Sequence, residues 1–79
     1  MLEKIFGQVL KNVREKAGIT QETLALSSEL DRTYISLLER GLRTPTIATL
    51  FKMAPYLHKT PSEIIADVEK KLNEDRQEK

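Results

Sequence analysis

Seventy-nine residues leave room for one small domain, and with no cysteine and one histidine they exclude disulfide staples and zinc sites of the usual Cys/His kind. A composition 39% hydrophobic and 32% charged is that of a globular domain, and no apolar run approaches the roughly 18 residues a membrane helix requires. The net charge of +1 conceals a division, because residues 1–60 carry nine Lys/Arg against six acids and residues 61–79 carry four against six.

Leu2, Ile5, Phe6, Val9, Leu10, Val13 and Ala17 recur at three- and four-residue steps, which predicts a first helix over roughly residues 2–17. Gly18 follows where a left-handed cap is wanted, and Lys16 suits the negative end of the helix dipole. Thr20 offers an N-cap hydroxyl for a short second helix near 21–28, with Glu22 in its first turn and Leu24 and Ala25 inward. Ser27-Ser28-Glu29 breaks that helix. Asp31 caps a third over about 32–40, with Ile35 and Leu38 inward and Gly41 as its stop.

After a loop over 41–45, Thr46 caps a fourth helix carrying Ile47, Leu50, Phe51, Ala54 and Leu57. Pro55 has no N–H for the Phe51 carbonyl, so it should kink that helix or end it early. Thr60-Pro61-Ser62-Glu63 combines an N-cap, proline at the first helical position and a capping-box glutamate. The fifth helix then places Ile64, Ile65, Val68 and Leu72 on one face. Residues 73–79 are wholly polar and are expected to fray as a tail. With no strand alternation and no repeats, the expectation is an all-α five-helix bundle, a single domain over 1–72. Domains of this size bury only about 60% of their unfolded surface, so part of the fifth helix should remain for a second copy of the chain.

Thr20 to Gly41 has the spacing of a helix-turn-helix, two short helices joined by three or four residues with the small Ala25 where they approach. The outer face of its second helix presents Arg32, Thr33, Tyr34, Ser36 and Leu37, with Arg40 near the end. A protruding helix of this kind can enter the major groove, about 12 Å wide, where Arg32 can give guanine O6 and N7 two parallel donors. Thr33 suits a phosphate or a thymine methyl, and Tyr34 offers an apolar ring with a polar tip. Gln21 can hold a phosphate through side chain and main-chain N–H, with Ser36 and Thr46 as further phosphate contacts. Taken singly, Arg32 reads as a solvated residue, Tyr34 as cover for the core edge and Gln21 as an exposed first-turn residue. Their joint placement points to sequence-specific DNA binding.

No catalytic residue is expected. There is no glycine-rich phosphate loop, and His58 has no evident carboxylate and serine partners. The chain is read as no enzyme, with no cofactor and no metal. The start Met1-Leu2-Glu3-Lys4 lacks the basic-then-apolar order of a signal peptide, so a cytoplasmic location without a membrane partner is expected.

Gln21-x-x-x-Ala25, Leu30-Asp31-Arg32-Thr33-Tyr34-Ile35-Ser36, Glu39-Arg40-Gly41 and Arg43-x-Pro45 resemble the phage-repressor-like (Xre-type) helix-turn-helix family. Within it, the run over 30–36 with the Glu-Arg-Gly that follows is similar to the controller proteins of restriction–modification systems. The resemblance covers about residues 5–66. It implies a lambda-repressor-like five-helix fold, a homodimer built through the C-terminal helices, and inverted-repeat DNA operators. By the same resemblance Arg32, Thr33, Tyr34 and Ser36 would contact bases, and Gln21 and Thr46 would hold phosphates. Arg43 would contact DNA near the dyad, and Ile64, Ile65 and Val68 would supply dimer contacts. Glu39 and Arg40 fall on a pair that can instead be structural, tying the third helix to its neighbours.

The implied function is a transcriptional regulator that activates and represses its own operon. One dimer would recruit RNA polymerase through an acidic patch of Glu22, Glu29 and Asp31, and a second would block the promoter. A phage-type repressor or an antitoxin is the alternative within DNA binding, and a protein-interaction adaptor is the alternative outside it. Two positions depart from the pattern. Glu29 stands where many helix-turn-helix turns place glycine; positive φ there would cost about 1–2 kcal/mol, so a different turn is expected. Pro55 interrupts a helix the family usually continues.

Overall fold

The N-terminal apolar stripe forms α1, Leu2–Lys16, in the computed structural model, which describes residues 1–77. Ile5, Phe6, Val9, Leu10 and Val13 are all buried, so the stripe is the core face. α2 spans Gln21–Ser28, and the Thr20 hydroxyl accepts the Thr23 N–H at 3.0 Å as its N-cap. α3 spans Arg32–Glu39, with the Asp31 carboxylate accepting the Thr33 N–H at 3.0 Å. α4 spans Ile47–Met53 and α5 Pro61–Gln77. Among the described residues these five helices and one 3₁₀ turn, Ala54–Leu57, are the regular structure.

The first three helices end in the same way. After α1 the N–H groups of Gly18 and Ile19 donate to Glu15 and Arg14 carbonyls; after α3 those of Gly41 and Leu42 donate to Leu38 and Leu37. Between them, after α2, Glu29 and Leu30 donate to Leu26 and Ala25. Each is a Schellman closure, which needs a left-handed residue just past the helix. Glu29 supplies it with φ 59° and ψ 39°, so the turn keeps the geometry that a glycine would take, contrary to the expectation of a different turn. The two closing hydrogen bonds and the burial of Ala25, with Leu30 half-buried against the core, offset the backbone cost.

Pro55 acts as its missing N–H requires. The α-helical pattern stops at Met53 and the chain continues as the 3₁₀ turn, which carries Ala54 and Leu57 into the core. Ile47 and Phe51 on α4 stay outside it, 76% and 60% exposed. α5 begins with the full capping box, the Glu63 N–H donating to the Thr60 hydroxyl and the Thr60 N–H to the Glu63 carboxylate. It continues beyond Leu72 to Gln77, whereas the polar composition predicts fraying from residue 73. Glu74, Arg76 and Gln77 in this stretch carry enough helix propensity to extend a well-nucleated helix. Glu78 and Lys79 of the expected tail lie outside the described residues.

α1 packs against both α3 and α5, and α2 against α3. The α1–α3 approach is close because Gly7 faces the Leu38 and Glu39 carbonyls; a Cβ at Gly7 would meet these oxygens at 2.5 and 2.6 Å. Gly41, with φ 76°, closes the other contact, since a Cβ there would lie 2.9 Å from the Lys4 Cα. α3 is thus mounted on α1 by its C-terminal turn and the residues after it, and its N-terminal turn is left outward. No helix among the described residues is long and apolar enough to cross a membrane.

Candidate nucleic-acid interface

Ile35 and Leu38 have no exposed surface, which fixes the rotation of α3 about its axis. Residues roughly half a turn away must therefore face out. Arg32, Thr33 and Arg40 are exposed, whereas Ser36 and Leu37 are half-buried along the flank. With side chains, an α-helix is about 10–12 Å across, a match for the major groove.

Tyr34 takes an intermediate position. Its ring packs partly on the core, and the guanidinium carbon of Arg43 stands 5.7 Å from the ring centroid, within cation–π range. The loop arginine and the α3 tyrosine are therefore one unit, although they lie nine positions apart in sequence. Thr46 is exposed, but its hydroxyl is engaged: it accepts the Thr49 N–H at 3.0 Å and shares a 2.9 Å hydrogen bond with the Thr49 hydroxyl.

Gln21 is half-buried at the start of α2, and its Nε2 donates to Glu39 Oε1 at 3.0 Å. Glu39 is held in turn by Arg14, whose Nε meets Oε2 at 2.6 Å and whose second terminal nitrogen meets Oε1 at 3.1 Å. The remaining terminal nitrogen donates to the Ile19 carbonyl at 2.8 Å. The two side chains are 11% and 4% exposed, and the hydrogen bond to Glu39 raises the already high pKa of the Arg14 guanidinium, against the opposing pull of burial. Glu39 is thus structural, but its ion-pair partner is Arg14 and not its neighbour Arg40.

Arg14 is the residue that sequence reasoning passed over. A signal was present: position 14 lies four residues past Leu10, on the buried side of the α1 stripe, and a charge there calls for a buried partner.

Of the three residues expected at a dimer contact, the structure leaves only one available. Ile64 has no exposed surface and Val68 is 7% exposed, because both face α1 in the chain's own core, whereas Ile65 is 51% exposed. Ile65 borders a shallow apolar groove of about 190 Å³ together with Leu2, Phe6, Pro45, Ile47 and Leu50. Phe51 projects from α4 one turn beyond Ile47. On α2 and the turn, Glu22, Glu29 and Asp31 are all exposed.

The chain matches the model of a helix-turn-helix family over residues 10–64. It is 42% identical over 66 residues to the control protein C.MunI of Mycoplasma sp, covering 82% of this chain and 89% of that relative. Among solved structures it is similar to the restriction–modification controller protein C.AhdI of Aeromonas hydrophila, with a TM-score of 0.75 and 40% identity over 78% of this chain and 94% of that one. It is also similar to the controller protein C.Esp1396I, solved as a tetramer in complex with its natural 35 base-pair operator. There the TM-score is 0.79 and the identity 37%, over 89% of this chain and 92% of that one.

Proposed function

The chain belongs to the helix-turn-helix family of DNA-binding regulators, and on that premise we propose that it binds inverted-repeat operators as a homodimer and controls its own operon as restriction–modification controllers do. One observation carries the reading. Exposed Arg32 and Thr33 stand on the outward first turn of a helix that also carries the Tyr34–Arg43 unit and is anchored by its far end.

In this mechanism the two recognition helices of a dimer enter successive major grooves about 34 Å apart. Arg32 reads guanine, Thr33, Tyr34 and Ser36 contact neighbouring base edges, and Arg43 follows Tyr34 toward the operator centre. Gln21 and Thr46 meet phosphates, Thr46 through whatever its capping role leaves free. The exposed apolar residues Ile47, Phe51 and Ile65 form the contact between copies, continuous with the groove between α1, α4 and α5. Glu22, Glu29 and Asp31 stand on the outer side of α2 and its turn, where a bound dimer could present them to RNA polymerase. A second dimer would close the promoter at higher concentration. The operator-bound tetramer of C.Esp1396I supports occupancy by more than two copies. A cytoplasmic location follows from this role.

The test is fluorescence anisotropy on DNA from immediately upstream of the protein's own gene, with a scrambled duplex and the Arg32→Ala variant beside it. Loss of a bidentate guanine contact should cost about 1–3 kcal/mol per half-site and erode the preference for the native sequence. With about 6–10 phosphate contacts, affinity should fall about 10³–10⁵-fold between 50 and 200 mM salt. Weak binding indifferent to sequence, salt and Arg32 would instead favour a protein-binding adaptor.

A further inference from the structure

We propose that Glu39 is a positioning residue for the DNA contact of Gln21, a role that rests on the reading of Gln21 as a phosphate ligand. A glutamine carboxamide has two chemically opposite ends of nearly the same shape. Only the nitrogen end can donate to a phosphate oxygen; the oxygen end would repel it. An unconstrained Gln21 would offer either end, in any of several rotamers. Here the end is chosen by Glu39, which as a carboxylate can only accept. It takes one Nε2 hydrogen at 3.0 Å and leaves the second as a donor on a side chain that is only partly buried.

The charge that makes this choice would by itself disfavour an incoming phosphate. Arg14 removes that objection, because its two-point contact compensates Glu39 at 2.6 and 3.1 Å without occupying the Gln21 hydrogen. Its third contact, at 2.8 Å on the Ile19 carbonyl, ties down the segment that leads into α2. One carboxylate therefore joins α1, the start of α2 and the last turn of α3. Arg32 lies seven residues earlier on α3, about 10 Å along its axis, so the phosphate ligand and the base-reading residues share one rigid frame.

A double-mutant cycle on operator binding tests this, with Gln21→Ala, Glu39→Leu and the pair, each checked by circular dichroism for folding. Because Glu39→Leu strands a buried guanidinium, the apolar replacement Arg14→Met/Glu39→Met serves as a second route that keeps the space filled. Gln21→Ala should weaken binding about tenfold per half-site, the scale of one hydrogen bond to a charged group. Removing Glu39 by either route should weaken it by a similar factor when Gln21 is present. In the Gln21→Ala background the same removal should change affinity less than twofold.

Equal losses in both backgrounds would mean that Glu39 supports the fold only, and would overturn the proposal. So would unchanged affinity in the Glu39 variants, or a Gln21→Ala protein that binds like the wild type. If the wild type itself shows no operator preference, the failure lies with the DNA-binding reading, and the cycle falls with it.

Discussion

Replacing Gly7 with alanine puts the α1–α3 contact under direct test. A Cβ at this position would stand 2.5 Å from the Leu38 carbonyl oxygen, 2.6 Å from that of Glu39 and 2.9 Å from the Glu39 carbonyl carbon. All three are backbone atoms, so no rotamer change can admit the methyl group; one helix must move against the other. Overpacking of a closed interface costs about 1–3 kcal/mol, and two carbonyls met at once put this case near 3. Alanine's better helix propensity returns about 1 kcal/mol. The net expectation is a loss of about 2 kcal/mol, out of a total of about 4–12 for a domain of this length. Thermal unfolding followed by circular dichroism should show a Tm lower by about 8–16 °C. Because Glu39 is one of the residues displaced, operator affinity should fall as well. A Tm at or above that of the wild type would refute the reasoning, since it would mean that only propensity had changed.

Glu29→Gly should stabilise the fold by about 1 kcal/mol, seen as a Tm higher by about 4–8 °C, because it relieves a left-handed backbone at φ 59° without touching the closing hydrogen bonds. A Tm that falls would show that the Glu29 side chain contributes more than its backbone costs. Phe51→Asp and Ile65→Asp change residues 60% and 51% exposed, so the far-UV spectrum should be retained while sedimentation moves from dimer to monomer. A wild type that sediments as a monomer at every concentration would rule out this face as the contact.

The helix boundaries were legible because their signals are local. Thr20, Asp31, Thr46 and Thr60 each cap the helix that follows, and the left-handed stops at Gly18 and Gly41 need only their own residues. The outward turn of Arg32 and Thr33 was equally readable, since the burial of Ile35 and Leu38 fixes it from within the same helix. What failed were distinctions that depend on neighbours. Ile64 and Ile65 are adjacent and equally apolar, and only the position of α1 decides that one is core and the other surface. Ile47 and Phe51 fit a helical stripe but have no element packed over them. The Arg14–Glu39–Gln21 contact joins residues 25 and 18 positions apart, a separation at which no local pattern speaks. The turn at Glu29 is hidden for a related reason: the residue's own preference opposes positive φ, and the closing hydrogen bonds of its neighbours overrule it.

The way α3 is seated divides its residues by how freely they can be exchanged. The grip on α1 is made at Leu38, Glu39 and Gly41, whereas Arg32 and Thr33 touch none of it. On the proposed reading of α3, descendants of this chain would acquire new target sequences through these two positions in single steps, with the scaffold indifferent to the outcome. Tyr34 has no such liberty. Half committed to the interior and paired with Arg43, it would on the same reading bind any change of target to a change in the loop, the conservative element in an otherwise permissive reading head.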